Sequence, residues 1–243
     1  MRVLGVVSYK GTRFQGWQKK PTVITVQGEI EKALSQVLNS EVTIFGSGRT
    51  DAGVHAIGQT FTFDMSKDLD LDKLCFSINR MIDKDIKILS FNKVDDDFHA
   101  RFSAKSKTYL YKIRLGVKDP FENEYQYIYP FEFDFDLFSK ALKQFEGKHC
   151  FKDFTSKEED EDGYVREIYK IVSKKHDNDI TVEFNGNGFM RYQIRNMVGA
   201  ALAVASKNED LNFIPNHLKE EKIREICQYK APPQGLYLVK VEY

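Results

Sequence analysis

A repeated order of residue patterns restricts the fold more than any other feature of the chain. Residues 2–9 form an apolar run that reads as a buried strand. Residues 26–40 place Ile30, Ala33, Leu34, Val37 and Leu38 on one helical face. Residues 42–46 and 57–64 read as strands, residues 71–82 as a helix with Leu74, Cys75, Ile78 and Met81 or Ile82 inward, and residues 85–94 as a strand. The rest of the chain repeats this order with larger insertions. A strand over 105–115 is followed by a helix over 135–145 ending near Gly147, and strands over 164–174 and 180–185 are turned by Asp177 and Asn178. Helices over 192–205 and 218–228 and a closing strand over 236–243 complete it. Two tandem β-α-β-β-α-β units predict an α+β fold with halves at 1–104 and 105–243. A cleft between two related sheets is then the natural site.

Within that frame the stretch Gly46-Ser47-Gly48-Arg49-Thr50-Asp51-Ala52-Gly53-Val54-His55-Ala56 stands apart. Between Glu41 and Asp64 the only formal charges are Arg49 and Asp51, in a chain that is 30% charged. Each is therefore the other's nearest counter-charge along the sequence. The glycines at 46, 48 and 53 suit a tight loop at a strand end. A carboxylate on such a loop can face a cleft, and a nearby guanidinium would favour its ionised form, ready to act as nucleophile or base. The competing reading is that Asp51 caps the following turn and Arg49 is an ordinary surface partner.

At 243 residues the chain can bury a substantial core without covalent staples. Cys75, Cys150 and Cys227 are odd in number and far apart, offering neither a disulfide framework nor a zinc-type pair, so a reducing cytoplasm is expected. The apolar run at the N-terminus is too short for a signal peptide, and no stretch approaches the roughly 20 apolar residues that cross a bilayer. No membrane partner is expected.

Thirty-six basic and thirty-six acidic residues cancel, which argues weakly against a polyanionic ligand. Their distribution argues the other way. No acid precedes Glu29, none lies between Phe98 and Lys118, and none between Phe184 and Asn208, whereas each stretch carries Lys or Arg. Acids gather instead at 64–72, 95–97 and 158–162, the last expected to be an exposed loop. Segregation of this kind can build one electropositive cleft on a neutral molecule, the competing reading being chance clustering on solvated faces. The segment 9–18 interleaves glycine, basic and aromatic residues, as a loop that touches phosphates and stacks on bases would need, with Trp17 read as a structural anchor.

Other chemistries find little support. The five histidines show no metal-ligand spacing, Gly-x-Ser-x-Gly is absent, and the glycines form neither a Walker loop nor a dinucleotide fingerprint. Asp95-Asp96-Asp97 reads as a solvated turn. What remains is one sheltered carboxylate with guanidiniums and aromatics, a set suited to covalent or acid–base catalysis on a bound base or sugar.

Residues 48–56 resemble the signature of the TruA family of tRNA pseudouridine synthases. Flanking segments resemble it too: Tyr9-Lys10-Gly11-Thr12 through Gly16-Trp17-Gln18, with Lys10 where an Asp is common, and Thr25-Val26-Gln27. So do Phe98-His99-Ala100-Arg101-Phe102, Lys107-Thr108-Tyr109-Leu110-Tyr111, Asp153-Phe154-Thr155, residues 188–199 and residues 231–238. The resemblance implies the pseudouridine synthase fold, in which two ferredoxin-like halves form a continuous mixed, mostly antiparallel sheet around a central catalytic cleft. It implies isomerisation of uridine in the anticodon arm of tRNA, without cofactor or metal, by a cytoplasmic homodimer. Asp51 would be the catalytic aspartate, attacking ribose C1′ or base C6. Tyr109 would stack on the flipped uracil and help remove the C5 proton, Arg195 would keep Asp51 anionic, and Arg49 would help hold the flipped nucleotide. The RNA contacts expected from the same stretches are Lys10, Arg13, Gln18, Lys19, Lys20, His55, Arg101, Lys105, Lys107 and Arg191. The alternatives are a relative that modifies another RNA, such as ribosomal RNA, and a non-catalytic RNA-binding protein on the same scaffold.

Overall fold

A computed structural model describes all residues except 157, 159–162 and 222. The chain divides into two compact units, Met1–Lys105 with Tyr237–Tyr243, and Ser106–Leu236.

The first unit contains β1 (Arg2–Tyr9), α1 (Val26–Leu38), β2 (Phe45–Gly46), β3 (His55–Asp64), α2 (Leu71–Asn79) and β4 (Ile86–Val94). Its strands run in the order β4-β1-β3, with β2 on the other edge of β3, all antiparallel. That is the 4-1-3-2 arrangement of a ferredoxin-like unit. β1 lies between two neighbours and buries Val3, Gly5, Val7 and Tyr9 on one face. α1 starts where the Thr25 hydroxyl accepts from the Gly28 N–H, and stops at Asn39, which adopts the left-handed conformation at φ 50°. It buries Ile30, Ala33, Leu34 and Leu38. α2 ends at Asn79, short of the expected 82, leaving Met81 exposed. Under the sheet, Phe61 and Phe63 pack against Phe91, and Trp17 against Phe61, at centroid separations of 5.5–6.4 Å.

The strand expected over 42–46 shrinks to Phe45–Gly46. α1 takes the backbone groups that a neighbouring strand would have used. Glu31 Oε1 accepts from the Ile44 N–H, Gln27 Nε2 donates to the Ile44 carbonyl, and Ser35 Oγ accepts from the Val42 N–H. With those groups satisfied, residues 42–44 need no strand partner.

The second unit holds β5 (Ser106–Leu115), β6 (Tyr127–Tyr129), α3 (Phe135–Lys143), β7 (Gly147–Cys150), β8 (Val165–His176), β9 (Asp179–Gly186), α4 (Gln193–Ala205) and α5 (Phe213–His217). Its strands run β5-β9-β8-β7, antiparallel, with β6 beside β5 in parallel. Every residue of α4 is buried, as its small apolar sequence requires. The closing strand, β10 (Leu236–Glu242), pairs in parallel with β3 through Tyr237 and Leu238, and is grouped with the first unit from Tyr237 onward. The architecture is α+β, with mixed but mostly antiparallel strand pairing.

One expected helix is absent. Among the described residues of 218–228 none is helical; the local helix is α5, five residues long and ending before them. Ile223 and Ile226 are exposed. Asp153 holds this segment instead: its carboxylate accepts from the Glu225 N–H at 2.8 Å and its carbonyl from the Cys227 N–H at 2.7 Å. Arg224 adds bonds to the Lys152 and Thr155 carbonyls. β6 and β7 were not anticipated, being three and four residues long. Of the acidic run 158–162, Glu158 is exposed and the remainder lies outside the described residues.

Candidate functional site

The Asp51 loop leaves β2 at Gly46 and returns in β3 at His55. Neutral hydrogen bonds pin it on both sides of the carboxylate. Ser47 N–H donates to the Thr60 carbonyl at 2.8 Å, Ser47 Oγ donates to Gln59 Oε1 at 2.6 Å, and Gln59 Nε2 donates to the Gly48 carbonyl at 3.1 Å. The Thr50 carbonyl accepts from the Trp17 N–H at 3.1 Å, and the Thr50 hydroxyl shares a 2.7 Å bond with Tyr9 Oη. Val54 N–H donates to the Asp51 carbonyl at 3.1 Å and closes the turn.

The segment that follows β1 braces the far side. A Cβ on Gly11 would lie 1.9 Å from the Val54 carbonyl oxygen, so the two backbones touch only because residue 11 has no side chain. Gly11 N–H also donates to His55 Nδ1 at 3.1 Å, and the His55 ring stacks on Tyr237 with centroids 4.6 Å apart. Ser47, Thr50, Val54 and His55 are buried, Asp51 is half-buried and Arg49 is exposed. The backbone of Asp51 is thus fixed while its side chain keeps access to solvent. Arg49 makes no hydrogen bond or ion pair among the described residues, so the counter-charge pairing suggested by its place in the sequence is not formed locally.

In the second unit, Tyr109 sits on β5 opposite Phe184 of β9 and meets the edge of Phe189 at 5.2 Å; it is 8% exposed. Tyr111 points to the same face two residues on. It is buried, and its hydroxyl donates to the Pro232 carbonyl at 2.7 Å. Burial pushes this phenol well above its ordinary range, with the Arg195 charge acting in the opposite sense. Arg195, in the first turn of α4, is also buried. Its Nε donates to the Ala231 carbonyl at 2.8 Å, and the Ala231 N–H donates back to the Arg195 carbonyl at 2.9 Å. A Cβ on Gly199 would lie 2.8 Å from the Lys230 backbone nitrogen, which is what lets the 229–231 segment run against the helix. Arg195 is therefore set by its paired bonds with Ala231 as well as by α4, while Pro232 holds Tyr111.

The expected RNA contacts fall into several environments. Arg13 is ion-paired with Asp83 at 3.3 Å and Asp85 at 3.1 Å, and Lys19 with Glu31 at 2.8 Å. Gln18, Lys20 and Lys105 are exposed, while Lys10 and Lys107 are half-buried at the end of β1 and the start of β5. Arg101 is exposed and lies over the Phe102 ring at 5.3 Å. His55 is buried within the brace just described. Arg191 is exposed and shares the Tyr192 ring with Arg195. Among the described residues no group of three or more His, Cys, Asp or Glu is placed to hold a metal ion. Tyr9, Thr50, Gln59, Tyr111 and the 231–232 backbone were not singled out as site residues from the sequence; the motif resemblances touched all of them but Gln59.

The family described as tRNA pseudouridine synthase matches residues 6–103 and 141–243. The chain belongs to the tRNA pseudouridine synthase family. Members of it that resemble this chain along its whole length include tRNA pseudouridine synthase A of Geobacillus sp. strain WCH70, 41% identical over all of this chain and 98% of that protein. The tRNA pseudouridine synthase A of Streptococcus sanguinis is 38% identical over the same shares. As a member of the tRNA pseudouridine synthase family the chain is an isomerase, and the family matched is the one that residues 48–56 and their flanking motifs resemble. Asp51 and Arg195 fall within the two matched blocks, and Tyr109 falls in the stretch between them. Among solved structures, a chain of an H/ACA RNP bound to a substrate RNA containing 2′-deoxyuridine matches with a TM-score of 0.41 and 14% identity, over 83% of this chain and 43% of that one, a likeness too slight to bear on fold or function. No helix among the described residues is long and apolar enough to cross a membrane.

Proposed function

We propose that this enzyme isomerises uridine to pseudouridine in the anticodon arm of tRNA, with Asp51 as its nucleophile. The observation that carries the reading is the braced loop: a half-buried aspartate whose neighbours on both sides are fixed by hydrogen bonds, inside the segment that resembles the family's signature. A rigid backbone with an accessible carboxylate is the preorganisation a covalent step needs.

Asp51 adds to the bound nucleotide at ribose C1′ or at base C6. The N1–C1′ bond breaks, the uracil turns, a C5–C1′ bond forms, the bond to Asp51 is released, the C5 proton leaves and N1 gains a proton. Every other atom is conserved and no oxidation state changes overall, so the net reaction consumes no co-reactant. The target base has to leave the helical stack first, at a cost of a few kcal/mol. Tyr109 supplies the aromatic surface on which it rests and the phenol oxygen that takes the C5 proton. Arg195, held by Ala231, keeps Asp51 ionised, and the exposed Arg49 grips the flipped nucleotide. The same reading places the enzyme in the cytoplasm as a homodimer.

Tritium release from tRNA transcripts carrying C5-labelled uridine tests the activity. Release with tRNA, and none with ribosomal RNA, is expected. Binding of tRNA without release would overturn the reading in favour of a non-catalytic RNA-binding protein. Tyr109→Phe keeps the ring and removes only the hydroxyl. It is expected to bind tRNA normally and to lower the release rate about 100-fold, the lower range for a lost proton-transfer group. An unchanged rate would leave Tyr109 a stacking role alone.

A further inference from the structure

Three cations converge on one ring in the second unit. Tyr192 precedes α4 in the left-handed conformation, at φ 64°. Around its ring stand the guanidinium of Arg191 at 4.7 Å, that of Arg195 at 5.2 Å and the ammonium of Lys230 at 4.5 Å. Arg191 and Lys230 are exposed, and neither makes an ion pair among the described residues. The aromatic face attracts each cation, but it cancels none of the charge that the exposed Arg191 and Lys230 bring. Arg13 and Lys19 of the first unit show the alternative, since both are exposed cations matched to carboxylates.

The surroundings add to the imbalance. α4 has no acidic residue in its first turn, and Arg195 stands there instead. That inverts the usual preference for anions at the positive end of a helix dipole. The Tyr192 hydroxyl oxygen already accepts from Arg191 Nη2 at 2.9 Å, so its own proton points elsewhere and remains available to a second acceptor. An anion with several acceptor oxygens would use all of these groups at once. A phosphodiester has that chemistry, and Arg, Lys and Tyr donors of this kind are the usual backbone-positioning contacts to nucleic acid.

We infer that Arg191, Tyr192 and Lys230 form a phosphate-binding subsite that holds the tRNA backbone beside Arg195. The inference rests on tRNA being the substrate. Lys230 lies outside the motifs that resemble the family and joins this cluster through the fold.

The salt dependence of tRNA binding tests the subsite. Each phosphate contact steepens the fall of log affinity with log salt by about 0.9, so between about 50 and about 200 mM salt the wild type should lose roughly tenfold more affinity than the Arg191→Ala, Lys230→Ala double variant. A control that removes the same charge from the exposed end of β8, Lys174→Ala with Lys175→Ala, should keep the wild-type slope. A wild-type slope in the first variant, or an equal change in the control, would overturn the subsite. Thermal unfolding of both variants shows whether they fold as the wild type does. Tritium release run in parallel separates the two readings. Release by the wild type with no difference in slope removes the subsite alone, whereas a difference in slope without release leaves the subsite and removes the chemistry. Failure of the wild type to bind tRNA removes both.

Discussion

Asp51→Asn is expected to lower pseudouridine formation by on the order of 10⁴-fold or more, the scale on which enzymes lose a group acting as nucleophile or its direct partner. Binding of tRNA should survive. The substitution keeps the size and shape of the side chain, and the bonds that fix the loop are made by the Thr50 and Asp51 carbonyls, the Val54 N–H, Ser47 and Gln59. None of these uses the carboxylate, so the loop keeps its course. Asp51→Glu should lose less, about 10²-fold, because one added methylene displaces the carboxylate by more than 1 Å from a backbone that cannot follow. Single-turnover tritium release with saturating enzyme measures both variants free of binding effects. An Asp51→Asn enzyme that retained a tenth of the wild-type rate would remove Asp51 from the chemistry.

Gly11→Ala carries the largest expected effect on stability. The new methyl would lie 1.9 Å from a backbone oxygen, Val54 O, rather than from the tip of a side chain that can rotate away. One of the two backbones must move, at a cost of about 3 kcal/mol or more, the upper range for overpacking. Val54 also closes the turn at Asp51, so the displacement reaches the catalytic loop directly. The denaturation midpoint should fall, and activity should fall further than the unfolded fraction explains when assayed where the variant is still folded. Gly188→Ala is the matching control, since a Cβ there meets nothing within 4 Å. Equal stability of the two variants would mean that the 9–18 segment does not brace the loop.

The two predictions draw on different parts of what the sequence discloses. The existence of the Asp51 loop was readable, because three glycines and two isolated charges in an apolar run have few other uses. What holds the loop was not readable from residue patterns. Tyr9, Thr50, Gln59 and Trp17 act through neutral hydrogen bonds between elements far apart in the chain, and such bonds leave no periodicity or charge signature. The long elements were legible for the opposite reason, since β1, α1, β8 and α4 carry their period over 8–13 residues. The helix expected over 218–228 does not form: its backbone N–H groups at Glu225 and Cys227 are taken by Asp153, and tertiary hydrogen bonding overrode the local preference.

Charge misled in an instructive way. Counting along the sequence, residues 1–28 contain no acid, and Arg13 and Lys19 looked available to RNA. In space, Asp83, Asp85 and Glu31 return to them. The stretch 184–208 gains a cation on folding, because Lys230 joins Arg191 and Arg195 at Tyr192, and neither Arg191 nor Lys230 is ion-paired among the described residues. Linear segregation of charge locates a polyanion site only where the fold does not refill it.

Mapping pseudouridine along an unmodified tRNA transcript incubated with the wild-type enzyme tests the central claim most directly. Pseudouridine confined to uridines of the anticodon arm, and absent when Asp51→Asn replaces the wild type, is the predicted result. Pseudouridine elsewhere in the tRNA, only in ribosomal RNA, or formed equally by the Asp51→Asn protein would contradict it.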